Sequence, residues 1–153
     1  MSGIFLVVWD TVHNHLSPVL HTTKGGYPHI TIAYTGKELS VTSLKEVASH
    51  IFSEWCLENI TLARAEVNSF EDRPGHIRND VLIVLSVENQ AEIEETREVF
   101  LKKKFANHTQ FFMRTPHVTY GIYEERGEAE KVAQELNARF LPYSVVVTGV
   151  MID

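Results

Sequence analysis

The chain has a single cysteine, Cys56, so it cannot form an intrachain disulfide. A lone thiol fits a reducing compartment, and the cytoplasm is the expected one. Long apolar runs are missing too. The longest, Ile4 to Trp9 and Val81 to Val87, have the length of buried strands and not of membrane spans, so no membrane association is expected. The opening MSGIFLVVWD lacks the basic region and cleavage site of a secretory signal. Positive charge is scarce: 14 Lys and Arg stand against 20 Asp and Glu, a net charge of −6. Long nucleic acids are held through many phosphate contacts that need a basic face, so the chain is not expected to coat DNA or RNA. A single phosphate needs only a few converging cations. Lys24 beside Gly25 and Gly26, Arg73 with His76 and Arg78, and Arg114 are placed for that, while Lys102 to Lys104 reads as a solvated surface run.

What is present fits one α+β domain spanning residues 1–153, of ordinary composition at 44% hydrophobic and 22% charged. Strands are expected over GIFLVVW, YPHITIAY, NITLARAEVNSF, VLIVLSV, PHVTYGIY and YSVVVTGVMID. Helical spacing predicts helices over SVTSLKEVASHIFSEWC, opened by a Ser43–Glu46 capping box, over a stretch starting near Asn89, and over GEAEKVAQELNARF. The last of these puts Ala129, Val132, Ala133, Leu136 and Phe140 on one face. EDRPGHIRND, with Pro74–Gly75 at its centre, reads as a polar loop between two strands, DTVHNHLSPVLHTTKGG as a short mixed segment, and ANHTQFFMRT as undecided. The order indicates two similar halves around a middle hairpin, and a monomer, since the helices are amphipathic and not apolar all round.

Each half carries Pro-His-x-Thr inside a strand: Pro28-His29-Ile30-Thr31 and Pro116-His117-Val118-Thr119. Residues two apart on a strand share a face. His29 and Thr31 therefore project together with Ala33, away from Ile30, Ile32 and Tyr34. His117, Thr119 and Gly121 likewise oppose Val118, Tyr120 and Ile122. Two imidazoles across one cleft suit phosphodiester cleavage, one taking a proton from the attacking oxygen and the other giving one to the leaving oxygen. The two hydroxyls can donate to the non-bridging oxygens, where charge builds in the transition state. A lone histidine in a strand is commonly a satisfied core residue; the duplication favours the functional reading.

On these residues, PHITIAY and PHVTYGIY, the chain resembles the two-histidine phosphoesterase superfamily (LigT-like, cyclic phosphodiesterase-like), in size and element order over nearly its whole length. The resemblance implies a bilobal α+β fold, two antiparallel-sheet lobes with outer helices and a central cleft. It implies catalytic His29 and His117, phosphate-binding Thr31 and Thr119, no cofactor and no metal. The substrate would be a nucleotide or short RNA: a 2′,3′-cyclic phosphate, a 2′,5′-linked oligonucleotide or a cyclic nucleotide signal. Lys24, Tyr27, Trp9, Arg73 and Arg78 are further substrate-binding candidates, the aromatics by stacking on a base. Two rival classes are kept. One is a module that binds a nucleotide or RNA end without turning it over. The other is a metalloprotein built on His13, His15, His21 and His29, although no acidic or Cys partner sits at ligand spacing.

Overall fold

The computed structural model describes residues 2–7, 29–35, 59–102, 115–146 and 149–152. The expected helix over residues 40–56, the mixed segment 10–26 and nearly all of ANHTQFFMRT lie outside them. Among the described residues the chain forms seven strands and two helices: β1 (Ser2–Val7), β2 (His29–Thr35), β3 (Asn59–Arg73), β4 (His76–Leu85), α1 (Val87–Lys102), β5 (His117–Tyr123), α2 (Arg126–Arg139), β6 (Tyr143–Val146) and β7 (Gly149–Ile152). The strands make one antiparallel sheet in the order β6-β3-β4-β5-β2-β1-β7.

The sheet divides where its two motif strands meet. β5 joins β2 through a single residue pair, Ile30 with Val118, whereas β3 and β4 pair over almost their whole length. This is the expected α+β arrangement of two antiparallel halves. Its core is the set of side chains turned to one face, including Ile30, Ile32, Ile60, Leu62, Val81, Ile83, Leu85, Val118 and Tyr120, with Ile93 of α1 and Ala129, Ala133 and Leu136 of α2 laid over them. Val132 and Phe140 pack at its margin, so the apolar face expected of α2 is the one buried.

Two elements differ from expectation, and one refines it. EDRPGHIRND is not a loop. β3 and β4 continue through it, and only Pro74 and Gly75 turn the chain. Gly75 has φ +78°, which suits glycine at the second central position of a tight turn, and Pro74 pre-sets the first. The polar residues there are partnered: Arg78 lies over the Phe70 ring at 5.1 Å, and His76 meets Asp72 across the turn and, at 2.8 Å, Glu124 beyond β5. Polarity here did not mark irregular backbone: residues 71–75 are exposed, while Asn79 and Asp80 are buried within the strand. Second, α1, expected to start near Asn89, begins two residues earlier at Val87, where the Ser86 hydroxyl accepts the Asn89 N–H at 3.3 Å and caps the first turn. The Asn89 side chain instead accepts the Thr61 N–H of β3 at 2.8 Å.

Third, the closing strand is split. β6 pairs with β3 at one edge of the sheet and β7 with β1 at the other. Three peptide units separate Val146 from Gly149, a reach of about 11 Å at most. The two edges of the sheet must therefore approach each other, and the sheet curls round on itself.

Candidate active site

The strand register assembles the repeated motif. Antiparallel pairing of Ile30 with Val118 sets residue 29 opposite residue 119, and residue 31 opposite residue 117. Ile30 and Val118 are fully buried on the core side. The four motif positions flanking them belong to the opposite, cleft face. Each histidine position faces the other motif's threonine position, and the two histidine positions lie on a diagonal of about 7–8 Å between backbones. A pseudo-twofold axis passes between Ile30 and Val118.

Both motifs end at the same irregularity. On β2 the register passes from Thr31 opposite Phe5 to Ala33 opposite Ile4, which leaves Ile32 as an extra residue. On β5 it passes from Thr119 opposite Leu82 to Gly121 opposite Val81, which leaves Tyr120 extra. Each is a β-bulge one residue beyond the threonine. A bulge bends the strand, raises its twist and shifts the alternation behind it. The expectation that Gly121 shares the face of His117 and Thr119 is thereby corrected, since Gly121 pairs with core-facing Val81. Ile122, expected in the core, pairs with Asp80, and Tyr123 packs on the core in its place. Tyr120 is a core residue as expected, and burial pushes its phenol well above the ordinary tyrosine value.

His117 is half-buried, and its Nδ1 lies 2.7 Å from the Thr115 carbonyl oxygen. A carbonyl only accepts, so Nδ1 keeps its proton in both charge states of the ring, and the exchangeable proton is carried at Nε2. One backbone contact thus fixes both the tautomer and the ring orientation. His117 borders a groove of about 230 Å3 on the cleft face.

Arg97, which sequence reasoning did not single out, holds the first motif from behind. It lies on α1, is 5% exposed, and donates from Nε to the Ile32 carbonyl at 3.1 Å and from a terminal nitrogen to the Thr31 carbonyl at 2.8 Å. The bulge breaks the ladder at these residues, and Arg97 supplies donors there. Burial pulls its guanidinium below the ordinary arginine value, partly offset by Glu94, but arginine stays charged at any physiological pH. The available signal was a cation in the buried stripe of α1, one turn beyond Ile93 and next to buried Thr96.

The structure does not bring Arg73 and Arg78 to this end. Arg73 and Arg78 flank the hairpin turn, not a loop. Val84, which pairs with His117, lies six residues along β4 from Arg78, about 20 Å. The Arg78 guanidinium is held by both oxygens of buried Asp80, at 2.7 and 2.8 Å. Trp9, Lys24, Tyr27, Arg114 and the His13, His15 and His21 set lie outside the described residues. Among the described residues no three His, Cys, Asp or Glu side chains converge as a metal site.

The family profile described as 2′-5′ RNA ligase superfamily matches residues 26–152, which includes both motifs. Solved structures share the fold, two of one protein among them. Kluyveromyces marxianus Usb1 superposes with a TM-score of 0.52 at 14% identity, over 99% of this chain and 96% of that one. The same protein with uridine monophosphate gives 0.50 at 15% identity, with the same coverage of both chains. Curated protein sequences give no significant match.

Proposed function

Since the chain belongs to the 2′-5′ RNA ligase superfamily, the two-histidine phosphoesterases, we propose that it is a phosphodiesterase acting on nucleotide or RNA phosphodiesters through His29, Thr31, His117 and Thr119. The observation that carries this is the repetition itself. Two His-x-Thr motifs meet at one antiparallel pair, each ended by the same bulge, and the ring of His117 is anchored so that its proton is exchanged at Nε2. One imidazole takes the proton of a water or of the substrate's own ribose hydroxyl as that oxygen attacks phosphorus. The other, as imidazolium, gives a proton to the departing ribose oxygen. The threonine hydroxyls donate to the non-bridging oxygens, and no metal takes part. The twofold relation lets the two histidines exchange roles with the direction of the substrate. That a solved structure of this fold is described with uridine monophosphate supports a nucleotide as the cleft's ligand.

The test is a substrate panel with EDTA present: a nucleoside 2′,3′-cyclic phosphate, a 2′,5′-linked oligoadenylate, a 3′,5′-linked control and cyclic oligonucleotides. Turnover of one class is expected, reduced by orders of magnitude in His29→Ala and in His117→Ala with folding intact. Full activity in both single variants would sink the assignment.

A further inference from the structure

The sheet register maps what surrounds His117. His117 pairs with Val84, and Val84 with Arg64; Thr119 pairs with Leu82, and Leu82 with Glu66. Directly paired residues share a face. The cleft face therefore runs from the motif on β5, across an apolar floor of Val84 and Leu82 on β4, to a polar wall on β3 made by Glu66 and, two residues on, Asn68. Val84, Leu82, Glu66 and Asn68 all line the groove beside His117. The wall stands two strand spacings from the motif, about 10 Å. A nucleoside whose phosphate sits at the motif spans this floor and brings its base edge to the wall.

The wall offers a carboxylate beside a carboxamide. Asn68 is half-buried, and its side chain makes no hydrogen bond among the described residues. The Glu66 carboxylate accepts from Arg64 Nε at 2.6 Å, but both side chains are about half exposed (47% and 59%), and such a pair adds little and exchanges readily. A carboxylate accepts through two oxygens side by side. Guanine alone among the four bases presents two parallel N–H donors on one edge, N1–H and the N2 amine, with the O6 acceptor next to them. Adenine and cytosine set a ring acceptor beside their single amine, and uracil sets carbonyls on both sides of its one N–H. Each of these turns a lone pair toward the carboxylate.

We propose that this groove is a base subsite selecting guanine, with Glu66 accepting from N1–H and N2–H, the Asn68 amide donating to O6, and Leu82 under the ring. The proposal rests on the nucleotide reading of the cleft. Its test is direct binding of the 3′-monophosphates of guanosine, inosine, adenosine, cytidine and uridine, by calorimetry or NMR titration. Guanosine is expected to bind at least tenfold more tightly than adenosine, cytidine and uridine. Inosine, which lacks only the N2 amine, should fall between. Glu66→Gln, at an exposed position that spares the fold, should bring guanosine to the level of inosine, and Asn68→Leu should weaken both. Equal binding of all five, no binding of any, or variants that weaken all five alike would overturn it. The reaction is judged separately by the substrate panel: turnover without base preference removes the subsite alone, and base preference without turnover removes the phosphodiesterase reading alone.

Discussion

At the scale of single residues, backbone carbonyls do much of the positioning. The Thr115 carbonyl fixes the ring of His117, and the Thr31 and Ile32 carbonyls are in turn held by Arg97. Through these two contacts Arg97 acts as a positioning residue for the strand that carries His29 and Thr31. Arg97→Met leaves those carbonyls without its donors, an expected loss of about 1–3 kcal/mol, read as a lower urea midpoint at unchanged slope. Because the loss falls on motif geometry, kcat should drop while KM changes little, and Arg97→Lys should restore part of both. A loss of stability with full kcat would make Arg97 structural only. The threonines are separable from this. Thr31→Val and Thr119→Val keep the strand shape and remove one hydroxyl each. If each hydroxyl meets the transition-state charge, kcat falls by about 10²–10³, as for other single donors of this kind, with stability nearly unchanged.

At the scale of elements, the hairpin tip is a local electrostatic clasp. Hydrogen bonds that His76 donates to Asp72, then to Glu124, hold it above the ordinary histidine value of 6.5. The same His76 contact holds Asp72 below 3.8. The histidine's contribution is therefore complete below 6.5 and is lost as pH rises through its raised folded value. The carboxylate's contribution is present above 3.8 and is lost as pH falls through its lowered folded value. Amides of residues 71–77 should exchange more slowly at pH 5.5 than at pH 8.5 after correction for intrinsic rates, and His76→Gln should abolish that difference. An unchanged difference would place its origin elsewhere. What the sequence disclosed at this scale follows from range. The strand identity of both motifs, the core direction of Ile30, Val118 and Tyr120, and the buried face of α2 were legible, because alternation and helical spacing are local signals. The bulges after Thr31 and Thr119 were not, because a bulge exists only in the register against β1 and β4. The strand character of EDRPGHIRND was hidden because its polar residues are satisfied across the hairpin. Arg97 was hidden because its acceptors lie more than sixty residues away in the chain.

At the scale of the whole molecule, two connections among the described residues hold the halves against each other besides the single Ile30–Val118 pair. α1 is the first. Its N-terminus is tied to β3 through Ser86 and Asn89, while Arg97 grips β2, so one rigid rod spans both halves. The C-terminal segment is the second: ten residues supply an edge strand to β3 and another to β1. The spacing between the two motifs across the cleft then depends on chain closure as well as on the pair at its centre. Removing residues 149–153 would take β7 from β1 while leaving β6 on β3. The half built on β1 and β2 should then lose stability selectively, and the single cooperative urea transition expected of the intact chain should separate into two, the earlier one reported by amides of β1 and β2 and the later by those of β3 and β4. Turnover should fall with the earlier transition, since only that half carries His29 and Thr31. If the shortened chain still unfolds in one step at the same midpoint, the C-terminal strand does not hold the cleft closed, and α1 with the central pair suffices to fix its two sides.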